Sequence, residues 1–147
     1  KMGETYGIKQ ADPTSVHIMA GISSLEFDFP RAVKFWSDYH RNGSMPFDVL
    51  NFHHYNNSSG FQHANSDTKG ISPEEDHFKE RLEEVVRQRD HFFPDMEVWI
   101  TEFGWDTSKE SIQSATGHTL YPEKISIFEL QGIWLVRAWL AGAAAGI

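Results

Sequence analysis

Apolar residues enter this chain in short continuous runs and in helical stripes, with polar stretches between them, and that pattern predicts its elements. Residues 1–15 lack either pattern and read as an approach segment ending in the turn-forming Ala11-Asp-Pro-Thr-Ser15. Residues 16–22, Val-His-Ile-Met-Ala-Gly-Ile, are almost uninterruptedly apolar, as expected of a strand covered on both faces. Phe29-Pro30 then opens a helix, with proline at a tolerated first-turn position and Ala32, Val33, Phe35, Trp36 and Tyr39 as its apolar side, and Asn42-Gly43 stops it. The run from Phe47 to Tyr55 is a second strand. Alternation sends Val49, Asn51, His53 and Tyr55 to one face and Leu50, Phe52 and His54 to the other.

A polar loop, residues 56–72, leads to Ser72-Pro-Glu-Glu75, an N-cap with a first-turn proline. The helix that follows is expected to run through Phe78, Leu82, Val85 and Val86 to about Arg89, with 80–90 as its solvated face. Val98 to Phe103 is the third strand, and simple alternation puts Trp99 opposite Glu102, under a helix. After a second long loop, residues 107–122, the segment 127–145 is a strong helix. Its apolar residues, Leu130, Trp134, Ala138 and Trp139 among them, cover more than one face, so it is expected to be well buried, and Trp36, Trp134 and Trp139 are read as core.

The order is strand, helix, strand, helix, strand, helix, with connections long enough for parallel crossovers, so the fold class is α/β. The long loops all follow strand ends, at the rim where ligands bind in such folds. With 147 residues, 39% of them hydrophobic, one core and one domain are expected. A formal charge of -8 without a basic run argues against a nucleic-acid partner, and no stretch approaches the ~18 to 20 apolar residues of a membrane span. Cysteine is absent, which removes disulfides and thiolate metal sites from consideration. His53 and His54 face opposite sides of one strand, and adding His63 and His77 makes no convincing zinc site, so no metal or other cofactor is expected.

The chemistry concentrates in residues 97–107, Glu-Val-Trp-Ile-Thr-Glu-Phe-Gly-Trp-Asp-Thr. Glu102 stands where the strand leaves the sheet, just before the turn at Gly104. A carboxylate there is either held in a structural hydrogen-bond network or aimed at a ligand, because leaving it buried and unpaired costs several kcal/mol as an order of magnitude. Phe103 and Trp105 on either side favour the ligand, since apolar walls tune a carboxyl group and offer flat surfaces to a substrate.

Trp99-Ile-Thr-Glu-Phe-Gly-Trp105 resembles the seventh strand of the clan A glycoside hydrolases, retaining enzymes on a TIM barrel. Phe52-His-His-Tyr55 resembles their sixth strand, and the ending, residues 135–147, is similar to the seventh helix and the approach to the eighth strand. The resemblance implies a partial (β/α)8 TIM barrel, roughly strands five to seven with their helices and the eighth strand missing. A complete barrel needs ~250 residues, so residues 1–147 are expected to be a single-domain, C-terminal fragment of a glycosidase catalytic domain.

By the same resemblance Glu102 is the nucleophile and Tyr55 the hydroxyl that orients it. His53, Asn51 and Asn56 would contact sugar hydroxyls, and Trp105 would stack on a ring. The family's acid/base glutamate follows an asparagine, and no Asn-Glu pair occurs here, so the acid/base is expected elsewhere in the protein and the isolated piece is expected to be inactive. Glu26 and Asp28 are remote stand-ins. The implied partner is a β-linked poly- or oligosaccharide, the implied compartment of the parent protein is extracellular or periplasmic, and self-association through exposed barrel edges is expected. A non-catalytic carbohydrate-binding descendant of the barrel and a small complete α/β ligand-binding domain are the competing readings, the latter weakened by the lack of a glycine-rich phosphate loop.

Overall fold

Among the described residues two parallel strands, β1 (Val49–His54) and β2 (Glu97–Phe103), and four helices, α1 (Met2–Ala11), α2 (Asp28–Arg41), α3 (Phe78–Phe92) and α4 (Ile127–Ala145), make a mixed α/β architecture. The computed structural model describes residues 2–60, 65–115 and 125–147, so His63 and the second half of the 107–122 loop lie outside the described residues.

β1 and β2 form where β-branched and aromatic residues accumulate. Leu50, Phe52 and Val98 drop into one apolar cluster with Met19, Phe27 and Val85 on the helix side of the sheet. Phe78, Leu82, Trp105, Leu130, Trp134 and Ala138 make a second cluster where α3 packs on α4, and Ile100 touches both. Residues 16–22 lie along the other edge of β1 as expected, yet they do not form a regular strand. Only Ile18 and Ile22 bridge to it, opposite Val49 and Phe52, with Met19 N donating to Val49 O at 3.0 Å and His53 N to Ile22 O at 2.7 Å. Val16 is 62% exposed, so the expectation of a strand covered on both faces is corrected.

The approach segment is also corrected. Residues 2–11 are helical, and Gly3 and Gly7 had masked them by interrupting any stripe. Lys9 ties this helix to the start of β1 through Asp48 at 2.7 Å. α2 ends as expected: Asn42 takes the left-handed conformation at φ 50, Gly43 follows at φ 80, and Gly43 N donates back to Ser37 O.

Ser72 and Glu75 do form a reciprocal pair, the Ser72 amide and hydroxyl donating to Glu75 Oε2 and the Glu75 amide to Ser72 Oγ. What they close is a turn. The helix begins only at Phe78, after His77 has passed through a left-handed conformation at φ 54, and it runs to Phe92 rather than Arg89. Along it, Lys79 pairs with Glu83 and Arg87 with Glu84 on a solvated face.

α4 has the predicted bounds. A capping box at Ser126 and Glu129 starts it, and Gly146 at φ 91 ends it. Its burial is narrower than expected, because one side packs on α3 through Leu130, Trp134 and Ala138 while Phe128, Val136 and Leu140 face outward and Trp139 is 67% exposed. On α2 the apolar side is likewise open at Phe35, Trp36 and Tyr39. Of the three helix tryptophans read as core, only Trp134 is fully buried. No helix among the described residues is long and apolar enough to cross a membrane.

Candidate functional site

The parallel ladder between β1 and β2 slips once. Phe52 pairs with Ile100 and His53 with Glu102, which leaves Thr101 as an extra residue on β2. Such a bulge interrupts alternation and re-aims the side chains beyond it. Thr101 and Glu102, neighbours in sequence, therefore both reach the face that Asn51, His53 and Tyr55 share. Trp99, two residues before Thr101, stays on that face as well. It is partly exposed, with its indole N–H donating to Glu97, so its expected place under a helix is corrected.

Glu102 is the centre of the cluster. The Tyr55 hydroxyl donates to its Oε2 at 2.9 Å, and His53 Nδ1 lies 3.3 Å from the same oxygen. His53 Nε2 is 3.2 Å from Thr101 Oγ1, whose hydroxyl donates to Asn51 Oδ1 at 2.9 Å. The backbone of Gly21 closes the site beneath the imidazole, so near that a Cβ on that residue would sit 1.9 Å from Nε2. The Glu102 side chain is 54% exposed, open to a ligand from solvent while one oxygen is held from the protein side.

The Tyr55 phenol is pushed above its ordinary value, first by partial burial and then by the hydrogen bond to Glu102 and that carboxylate's charge. It thus stays a neutral donor throughout the physiological range. A carboxylate gripped on one oxygen can attack an electrophile with the other or accept a hydrogen bond from a hydroxyl of a bound polyol.

Asn51, His53, Tyr55 and Glu102 are thus brought together, although Asn51 stands behind His53, its Oδ1 already taken by Thr101, and is buried rather than presented to a sugar. Two expected ligand contacts are corrected outright. Trp105 is only 6% exposed, packed against Trp134 at 5.4 Å between ring centroids, with its indole N–H donating to Ile71 O. Asn56 is 1% exposed and donates to Asp76. Both side chains turn away from the cleft, Trp105 onto Trp134 and Asn56 onto Asp76.

Asp28 pairs with Arg31 on α2. Glu26 lines a cavity of about 430 Å3 with Ser23, Tyr55, Asn57 and Arg81, which Glu102 does not enter.

Behind the sheet a second polar cluster supports the rim. His54 Nε2 and Asp76 Oδ2 are 2.6 Å apart, both residues are buried, Asn56 donates to the same oxygen at 2.9 Å, and the His54 ring stacks on Phe78. Arg81 Nε donates to Asp76 O. Asp76, Thr101 and Gly21 were not singled out from the sequence. Gly21 inside an apolar run is a recognised sign of close backbone approach, but neither the bulge that recruits Thr101 nor the 22-residue reach from His54 to Asp76 leaves a local signature. Among the described residues no group of three His, Cys, Asp or Glu side chains is placed to hold a metal ion. Comparison of the chain with protein-family models, with curated proteins and with solved structures finds no match.

Proposed function

We propose that this chain carries the nucleophile of a retaining glycoside hydrolase acting on β-linked poly- or oligosaccharides, with Glu102 as the attacking carboxylate and Tyr55 as the hydroxyl that orients it. The observation that carries the reading is the 2.9 Å hydrogen bond from Tyr55 to Glu102, at the carboxyl ends of adjacent parallel strands, on the face where the Glu102 side chain is open to solvent. In a double displacement the carboxylate attacks the anomeric carbon, and a second carboxyl group ~5 to 5.5 Å away protonates the leaving oxygen and later activates water. Tyr55 would fix the trajectory of the attack by holding one oxygen of Glu102 and leaving the other to react. His53 would line the same cleft.

In this reading residues 16–22, β1 and β2 are strands five to seven of a TIM barrel. The one-sided pairing of β2 among the described residues and the uncovered apolar side chains of α2 and α4 fit a sheet that continues into further strands. The acid/base is expected from a residue outside 1–147, and these residues alone are expected to be inactive.

The test is to trap the full-length protein with a 2-deoxy-2-fluoro β-glycoside and map the labelled peptide by mass spectrometry. A covalent sugar on Glu102 supports the assignment, and a label on another residue overturns it. Sugar binding without any label under turnover conditions would favour the non-catalytic carbohydrate-binding reading.

A further inference from the structure

We propose that Thr101 is a positioning residue: its hydroxyl holds the His53 imidazole by Nε2, with a hydrogen on that nitrogen, so that Nδ1 is turned toward the Glu102 oxygen that Tyr55 also grips. The inference deepens the reading of Glu102 as nucleophile and rests on it.

A hydroxyl has one hydrogen to give and lone pairs to receive with. Thr101 gives its hydrogen to Asn51 Oδ1 at 2.9 Å, so toward His53 Nε2, 3.2 Å away, it acts as an acceptor, and Nε2 is the nitrogen that donates. Asn51 is a firm anchor, because it sits buried in the middle of β1. Gly21 bounds the ring from below and leaves no space for it to settle lower. With Nε2 committed to Thr101, the nitrogen left to face Glu102 Oε2, 3.3 Å away, is Nδ1. A bare Nδ1 would set its lone pair against those of the carboxylate, so the contact to Glu102 is attractive when Nδ1 also carries a hydrogen, and the two nitrogens then both donate, Nε2 to Thr101 and Nδ1 to Glu102.

A half-turn of the ring about its Cβ–Cγ bond would set a C–H edge against the carboxylate in place of Nδ1. Without the Thr101 hydroxyl nothing at Nε2 would distinguish the two orientations. The extra residue in β2 is what makes the arrangement available, since an unbulged strand could not aim both position 101 and position 102 at His53.

The test uses the full-length protein, labelled with 15N at histidine, and reads the His53 ring by long-range proton–nitrogen correlation, alongside kinetics. In the wild type a hydrogen is expected on Nε2, with a second on Nδ1 where it meets the Glu102 carboxylate. Thr101→Ser is expected to keep that signature and the activity. Thr101→Val keeps the β-branched shape and is expected to lose the fixed signature, with kcat falling about 10- to 100-fold and KM within about twofold.

A wild-type ring with its hydrogen on Nδ1 and none on Nε2 would overturn the proposal without any variant having to fold. So would a folded Thr101→Val protein with unchanged spectrum and kcat. Glu102→Gln separates this from the parent reading: if that variant keeps full activity, the nucleophile assignment fails whatever the His53 ring reports.

Discussion

Gly21 and His53 meet so closely that a single methyl group added at position 21 would lie 1.9 Å from His53 Nε2. Gly21→Ala therefore has to expel the imidazole from its place between Thr101 and Glu102. Because the ring is the end of a rotatable side chain and can swing toward solvent, the loss of stability is expected near the low end of the about 1–3 kcal/mol typical of overpacking. The functional loss is expected to be larger. Thermal unfolding of the variant beside its turnover on a β-glycoside checks both halves, and a fully active Gly21→Ala protein would show that the His53 position is irrelevant to the site.

Tyr55→Phe removes the hydroxyl that donates to Glu102. A hydrogen bond to a charged acceptor is worth about 1.5–3 kcal/mol, which corresponds to roughly one to two decades in rate if the contact is needed in the transition state. The expected outcome is a drop of that size in kcat with little change in folding, measured by steady-state kinetics and circular dichroism.

The same pair makes a pH statement. The Tyr55 phenol is raised by burial first and by Glu102 second, so any stability it contributes is present below the ordinary phenol value near 10 and is lost as pH rises through its higher folded-state value. Ultraviolet titration should find Tyr55 ionising later than an unperturbed tyrosine. In Glu102→Gln the delay should shrink without vanishing, because burial remains.

Asp76 is the common acceptor for His54 and Asn56 inside the protein. Asp76→Ala removes the hydrogen-bond acceptor that both share and is expected to cost about 2–4 kcal/mol, far more than a typical surface substitution. Denaturant unfolding measures it. Asp76→Asn, which retains an acceptor oxygen of similar reach, should recover part of the loss.

Partial burial pushes the Asp48 carboxyl up, and the Lys9 ammonium and the His17 amide together outweigh it and hold the group below the ordinary range. The contribution is in force above the unfolded carboxylate value near 4 and disappears as pH falls through the lowered folded value. Hydrogen exchange in α1 should accelerate in that acidic window, and Asp48→Asn should show the same acceleration at neutral pH.

Much of the scaffold was legible because it rests on local chemistry. The strand before Glu102, the stop at Asn42 and Gly43 and the bounds of the last helix follow from residue type over a few positions. Where the reading missed, a long-range contact decided. Trp105 carries the same flanking aromatic signal as a sugar platform, and only the presence of Trp134 on α4 turns it inward. Asn56 looked like a rim residue until Asp76, twenty positions on, drew it beneath the sheet. Residues 2–11 show no apolar stripe of the kind that announces a helix, and Lys9 reaches Asp48 at the start of β1 from far away in sequence.

An ordinary strand offers a given face every second side chain, and so at most half of its chemistry. The single additional residue in β2 lifts that limit at one spot, letting consecutive positions converge on one histidine. Deleting Thr101 would restore strict alternation and leave Glu102 opposite His53, but it would remove the hydroxyl that meets the imidazole, so the length of this segment is as much a part of the site as the groups it displays.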